Sequence, residues 1–169
     1  MQPHIIGCGN VNRGDDAAGV LVARRLRALG IEAEEQSGES FSLIDSWQGF
    51  ETVVVVDAVC SGREAGEVRI WDASTRPLPK AALQCSTHAF GLYEAVELAR
   101  TLDRLPDKLL IYGIEGKQFA PGARPSPEVE KAVELVAHQI AELMQTATLT
   151  AKMKLTAAGP NNDATNALV

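Results

Sequence analysis

The sequence predicts an α/β protein whose mostly parallel sheet is covered by helices on both faces. Segments with a strand pattern alternate along the chain with segments with a helix pattern, which is typical of such sheets. The four consecutive valines Val53 to Val56 lack polar alternation, as expected for a central strand buried on both faces. At 169 residues the chain is long enough for one domain with a substantial core. We place that domain at residues 1–146 and a weakly ordered tail at 147–169.

The first half of the chain contains two predicted strands and two predicted helices before the central strand. A short strand at Ile5–Ile6 ends in a glycine-punctuated turn. The helix that follows runs from Asp16 to Leu29, where apolar residues recur at helical spacing, and Gly30 ends it. Alternating apolar and acidic residues at 31–35 predict an edge strand, and a short helix is expected from Phe41 to Trp47.

The second half continues the same alternation. The central strand covers Thr52 to Asp57, and Val68–Trp71 predicts another strand. Residues 73–85 carry two prolines and little periodicity, which indicates a loop. We expect the next helix to open at His88 and the last strand to cover residues 108–114.

The final helix has a clear start signal. Ser126-Pro127-Glu128 offers an N-cap, a proline at the first helical position and an acid in the first turn. Beyond about Thr146 the composition turns to Thr, Ala, Asn and Lys, with Gly159-Pro160 further on. This composition is the basis for predicting a weakly ordered tail.

Charge and hydropathy exclude two classes of partner. The formal net charge of -6 opposes binding to nucleic acid or to an anionic membrane surface, since both need clustered Lys and Arg. No apolar run approaches the roughly 20 residues of a membrane-spanning helix. The N-terminal residues lack a basic region ahead of an apolar stretch, so we expect no secretory signal and a cytoplasmic protein.

Three side chains with catalytic or metal-binding chemistry are expected at one edge of the sheet. Asp16 follows the first strand, Asp57 ends the central strand, and His88 opens a helix after the long loop. Ligands of open parallel sheets bind at the carboxyl ends of the strands, where these residues would meet. Two carboxylates and an imidazole suit zinc, nickel or a similar divalent ion. A helix N-terminus would keep the His88 ring neutral and able to bind a metal.

Other catalytic patterns are weaker. The motifs of zinc peptidases with His-Glu-x-x-His, of hydrolases with Gly-x-Ser-x-Gly and of P-loop enzymes are absent. Residues 7–12 resemble a dinucleotide-binding turn without its third glycine, but Asp15 and Asp16 would repel a pyrophosphate. A small dinucleotide-binding module stays an alternative, as does a thiol–imidazole pair of Cys85 and His88.

Three motifs recur in the order and spacing of a known family. They are Gly7-x-Gly9-Asn10-x4-Asp15-Asp16-x2-Gly19, the strand Val53 to Val59 that carries Asp57, and Ser86-x-His88-x2-Gly91-Leu92. With these motifs the chain resembles, over roughly residues 3–145, the endopeptidases that mature nickel-iron hydrogenases. It departs from that pattern at residues 36–39, where many members carry an acid beside paired glycines.

The resemblance implies a three-layer α/β fold with a twisted five-stranded sheet and a specific proteolytic function. Members remove a C-terminal extension from the hydrogenase large-subunit precursor once nickel has been inserted. Asp16, Asp57 and His88 are implied as metal ligands and catalytic residues. Our working hypothesis is that Asp16 or Asp57 acts as base for a metal-polarised water, and the alternative is that the carboxylates only orient the precursor. The nickel is expected to be the substrate's own, with no cofactor permanently bound, and the protein to be a monomer. A chaperone that checks for nickel and docks the precursor without cutting it is the alternative.

Overall fold

A five-stranded sheet forms the centre of the protein. The structure is a computed structural model, and it describes residues 2–82 and 91–157. The strands are β1 (His4–Cys8), β2 (Glu34–Gln36), β3 (Thr52–Val59), β4 (Val68–Asp72) and β5 (Lys108–Glu115), in the spatial order β2-β1-β3-β5-β4. The β4–β5 pair is antiparallel and the other three pairs are parallel. The predicted mostly parallel, five-stranded sheet is therefore confirmed.

Four helices cover the two faces of this sheet. They are α1 (Ala18–Ala28), α2 (Ser40–Ser46), α3 (Leu92–Thr101) and α4 (Pro127–Ala157), with 3-10 turns at Gly14–Ala17 and Lys80–Ala82. Val53 and Val55 belong to the core under α2 and α3, whereas Val54 and Val56 belong to the core under α1 and α4. Successive residues of a strand point to opposite faces, so a strand with a helical layer on each side needs apolar residues throughout. The unbroken valine run thus follows from the three-layer arrangement.

The elements differ from the predicted ones mainly at their ends. The chain after β1 first forms the 3-10 turn Gly14–Ala17, and α1 begins only at Ala18 instead of Asp16. The edge strand β2 lies at Glu34–Gln36, later and shorter than the predicted 31–35. The β3 strand continues past Asp57 to Val59. The predicted helix start at His88 lies outside the described residues, and α3 begins at Leu92.

The last helix is longer than the sequence analysis predicts. Helix α4 continues beyond Thr146 to Ala157, so residues 147–157 are helical and not irregular. No Gly or Pro interrupts the chain between Pro127 and Gly159, and a helix without a breaker continues readily through Thr, Ala and Lys. The division into a domain at 1–146 and a tail at 147–169 itself stays a prediction.

The length and hydropathy of the helices decide whether one of them could cross a membrane. Among residues 2–82 and 91–157, none of the helices combines the length and the hydropathy that a bilayer crossing requires.

Candidate active site

The glycine-rich turn after β1 allows the backbone of Asp16 to pack closely beside the sheet. A Cβ at Gly9, whose φ is +135°, would lie 1.8 Å from the Asp16 carbonyl oxygen, which also accepts a hydrogen bond of 3.2 Å from the Asn10 N–H. At the start of α1, a Cβ at Gly19 would lie 2.2 Å from the Val56 carbonyl oxygen. Both glycines therefore allow close backbone packing. The lack of a Cβ at these positions is thus explained by packing between backbone segments, without a bound nucleotide.

Asp57 projects from β3 two residues before the strand ends. Its Oδ1 accepts a hydrogen bond of 2.8 Å from the Ala58 N–H, and its backbone pairs with Gly113 of β5. The pKa of Asp57 is raised to about 7, mainly by burial and then by the charge of Asp16, while the hydrogen bond from the Ala58 N–H opposes the rise. The structure thus brings two of the three predicted site residues together.

The third predicted residue, His88, lies outside the described residues, as does Cys85 of the thiol–imidazole alternative. Within the described ranges, no three His, Cys, Asp or Glu side chains are grouped so that they could hold a metal ion. Asp16 and Asp57 do provide two adjacent negative charges, and a divalent cation relieves the repulsion of such a pair. The two carboxylates fit a metal-contacting role, and a metal site with His88 stays a prediction.

Neither cysteine close to the two carboxylates offers a thiolate. Cys8 of β1 is fully buried, and burial, followed by the charges of Asp57, Glu34 and Asp16, raises the pKa of its thiol well above the ordinary value. Cys60, three residues beyond Asp57, is disulfide-bonded. The candidate reactive groups in the described part of the site are therefore carboxylates and not thiolates.

Asp15 has a different role from that of its neighbour Asp16. Its side chain is 0% exposed and accepts four hydrogen bonds from the segment before α4: from the N–H groups of Lys117 (2.8 Å), Gln118 (2.9 Å) and Ser126 (2.6 Å), and from the Ser126 hydroxyl (3.1 Å). Burial alone would raise the pKa of Asp15, but these donors outweigh it and lower the pKa below its ordinary value. Ser126, predicted as an N-cap, thus directs its hydroxyl to Asp15.

Glu115 is a second buried carboxylate that sequence reasoning missed. It ends β5, is 2% exposed, and accepts hydrogen bonds from the N–H groups of Ser61 (2.7 Å), Gly62 (3.0 Å) and Arg63 (3.2 Å) and from the Ser61 hydroxyl (2.8 Å). Three successive N–H groups that converge on an anion form a nest. The signal in the sequence is an acid at the end of an otherwise apolar strand, directly before Gly116.

The two described histidines lie away from the carboxyl edge of the sheet. His4 starts β1, where its Nε2 lies 3.0 Å from Glu34 Oε2 and its ring stacks on Phe50 at a centroid distance of 4.1 Å. Both rings line a cavity of about 1050 Å³ at the amino ends of β1 and β2. His138 is exposed on α4, with its Nδ1 2.8 Å from the Glu134 carbonyl oxygen. His4 and His138 are therefore not candidates for the site around Asp16 and Asp57.

The segment that departs from the resemblance lies at the same edge as Asp16. The Gly9 N–H donates a hydrogen bond of 3.1 Å to the Gln36 carbonyl oxygen, and a Cβ at Gly38 would lie 3.9 Å from the Cβ of Cys8. The Ser40 hydroxyl, at the start of α2, donates to the Gly91 carbonyl oxygen at 3.1 Å. Residues 36–40 therefore bridge the turn after β1 and the beginning of α3.

Comparisons with known proteins agree with the fold and with the motifs. Residues 38–143 match the family model described as HycI, hydrogenase maturation protease. Protein FrxA of Pyrococcus furiosus is 31% identical over 122 residues, which cover 71% of this chain and 88% of that protein. The crystal structure of the nickel-iron hydrogenase maturation protease HycI from Thermococcus kodakarensis is similar with a TM-score of 0.67 and 29% identity, over 85% of this chain and 92% of that one. The hydrogenase maturating endopeptidase HybD from Escherichia coli shares the fold, with a TM-score of 0.67 and 22% identity over 87% of this chain and 94% of that one.

Proposed function

The chain belongs to the hydrogenase maturation protease family, and we propose that it removes a C-terminal extension from the large-subunit precursor of a nickel-iron hydrogenase after nickel insertion. The observation that carries the proposal is the pairing of Asp16 and Asp57 at the carboxyl edge of the sheet. These carboxylates come from segments far apart in sequence, and the effect of the Asp16 charge on the pKa of Asp57 supports their pairing.

In the proposed reaction the nickel ion is part of the precursor, and Asp16, Asp57 and His88 contact it. Two carboxylates and an imidazole are ligands that nickel accepts. A precursor without nickel would bring no cation to Asp16 and Asp57. Recognition of the nickel-loaded precursor is then electrostatic, because its cation is attracted by the two carboxylates.

For the cleavage step we propose that Asp16 or Asp57 acts as general base. The carboxylate takes a proton from a water molecule as the water oxygen attacks the scissile carbonyl carbon. The proton then passes to the leaving amine nitrogen when the peptide bond breaks. Asp57 has a free acceptor for this purpose, because the Ala58 N–H engages only its Oδ1. The proposal includes a monomeric protein in the cytoplasm with no resident metal.

Intact-mass spectrometry of a precursor incubated with this protein tests the proposal. The precursor is supplied in a nickel-loaded and a nickel-free form. We expect the C-terminal peptide to be lost from the nickel-loaded form alone. A stable nickel-dependent complex without cleavage would instead support the chaperone alternative, and equal cleavage of both forms would exclude nickel recognition.

A further inference from the structure

Asp15 lies where two segments that are more than a hundred residues apart are joined. Besides the four bonds to its carboxylate, its backbone N–H donates to the Gln118 carbonyl oxygen at 2.7 Å. Two further backbone bonds join the same segments, from Gly14 N–H to the Ala123 carbonyl oxygen at 3.1 Å and from Gly122 N–H to the Asn12 carbonyl oxygen at 2.7 Å. The 3-10 turn Gly14–Ala17 is thus tied from outside to the loop of residues 116–126.

The turn needs this external support because it is short and irregular. It spans four residues, and no side chain caps its N-terminus. A 3-10 turn has poorer hydrogen-bond geometry than an α-helix and holds its shape less firmly by itself. A Cβ at Gly116 would lie 2.9 Å from the Cβ of Asp15, so loop and turn are in direct contact.

Asp16 is consequently held from two sides. On one side its carbonyl oxygen packs on Gly9 and accepts the Asn10 N–H. On the other side it follows directly after Asp15, whose carboxylate is fixed by charge-assisted bonds as short as 2.6 Å. The direction in which the Asp16 side chain leaves the backbone depends on both contacts.

We propose that Asp15 is a positioning residue, which holds the turn against loop 116–126 so that the Asp16 carboxylate faces Asp57 in the geometry needed for cleavage. The inference rests on the proposed function, in which Asp16 contacts the precursor. Asp15 itself has no access to the precursor, because its side chain is completely buried. Small displacements of a reacting group reduce catalysis strongly, so loss of this anchor should affect turnover more than binding.

The test compares Asp15→Asn with Ile140→Ala in steady-state cleavage of the nickel-loaded precursor. Asparagine has the shape of aspartate, but only one of its two terminal atoms accepts a hydrogen bond, so its NH2 group would face an N–H donor. Ile140, a residue of α4, is fully buried in the core, and its truncation lowers the melting temperature without touching the turn. Both variants are assayed at a temperature at which each is folded by circular dichroism.

We expect Asp15→Asn to lower kcat by about tenfold or more with KM within about threefold, whereas Ile140→Ala retains kcat despite a comparable fall in melting temperature. Equal kcat values for Asp15→Asn and wild type, or equal losses in both variants, would overturn the inference.

If Asp15→Asn does not fold, Ser126→Ala replaces it, because this change removes only the hydroxyl bond. A lower kcat in Ser126→Ala at unchanged KM then supports the inference, and an unchanged kcat overturns it. Absence of cleavage by the wild type would instead disprove the proposed function, and the inference with it.

Discussion

Asp15 and Asp57 are two carboxylates at the same edge of the sheet, the first buried and the second half-buried, and their surroundings shift their pKa values in opposite directions. Asp15 accepts three backbone N–H bonds and one hydroxyl bond, and its pKa is lowered. Asp57 accepts a hydrogen bond from the Ala58 N–H and lies near another carboxylate, and its pKa is raised to about 7. Glu115 resembles Asp15, because it also accepts hydrogen bonds from three backbone N–H groups.

The difference separates anchoring carboxylates from reacting ones. A buried carboxylate with enough donors is stable as an anion and joins distant segments of chain. A carboxylate that is shielded from water and lies near a like charge is unfavourable as an anion, and binding a proton or a cation lowers its free energy. Asp15 and Glu115 therefore hold the loops beside the site, whereas Asp16 and Asp57 are suited to contact a metal or to take a proton.

The largest effect is expected for Asp57→Asn. Loss of the second charge should lower cleavage of the nickel-loaded precursor by about 10²–10⁴-fold, the range typical for a general base. The fold should be retained, because the amide relieves the repulsion with Asp16. Cleavage is followed by intact-mass spectrometry, with melting curves in parallel. Asp45→Asn on α2, an exposed aspartate paired with Arg104, is the control that should cleave normally. A fully active Asp57→Asn protein would remove Asp57 from the mechanism.

The anchoring role of Glu115 predicts a smaller effect, on stability. Glu115→Ala should lower the free energy of unfolding by about 3 kcal/mol, since it leaves three N–H groups near the loop without their acceptor. Glu115→Gln should lose less than about 1 kcal/mol, because its Oε1 can accept the three N–H groups while its NH2 donates to the Ser61 hydroxyl. Urea denaturation measures both. Equal losses in the two variants would show that the charge, not the geometry, holds this loop.

Opposite pKa shifts predict opposite dependences of stability on pH. The native state binds the Asp57 proton more tightly than the unfolded chain, whose pKa is the ordinary 3.8. Between about pH 4 and pH 7 this group therefore makes the free energy of unfolding fall as pH rises, by at most about 1.4 kcal/mol per pH unit. Asp15 stabilises the fold above its ordinary pKa, and this contribution is lost as pH falls through its lowered pKa.

Urea denaturation from pH 3 to pH 8 checks these signs. Relative to wild type, Asp57→Asn should gain stability steadily from about pH 4 to pH 7, where Asp57 ionises. Asp15→Asn should approach wild-type stability only in the acid range. Parallel curves for all three proteins would contradict the assigned shifts.

The smallest effect is expected for an exposed carboxylate. Glu35 on the edge strand β2 is bound by Arg24 with N–O distances of 3.2 Å and 3.0 Å, and the Arg24 side chain is half exposed. Arg24→Ala should change the free energy of unfolding by less than about 1 kcal/mol, because solvent screens such pairs. Urea denaturation measures the change. A loss above about 2 kcal/mol would place this pair among the anchors rather than at the surface.

The sheet and the reacting carboxylates could be predicted from the sequence because their signals are local. Four valines without alternation identify the central strand, and the carboxyl-end rule for parallel sheets then gathers Asp16 and Asp57. The antiparallel direction of β4 has no such signal, since strand direction depends on how the chain crosses the sheet.

The anchoring carboxylates could not be predicted because their partners are remote. Asp15 and Asp16 are identical side chains in adjacent positions, and only the donors at 117, 118 and 126 distinguish them. Glu115 likewise binds residues more than fifty positions earlier in the chain. Helix α4 reaches Ala157 for another reason, because no Gly or Pro breaks it before Gly159, although the composition changes already near Thr146.

The most direct test of this account is the titration of the Asp57 carboxyl carbon by NMR in wild type and in Asp16→Asn. The account predicts an apparent pKa near 7 in the wild type, with a clear fall in Asp16→Asn, because the neighbouring charge is removed while burial remains. An ordinary pKa in the wild type, or the same value in both proteins, would contradict the pairing of Asp16 with Asp57.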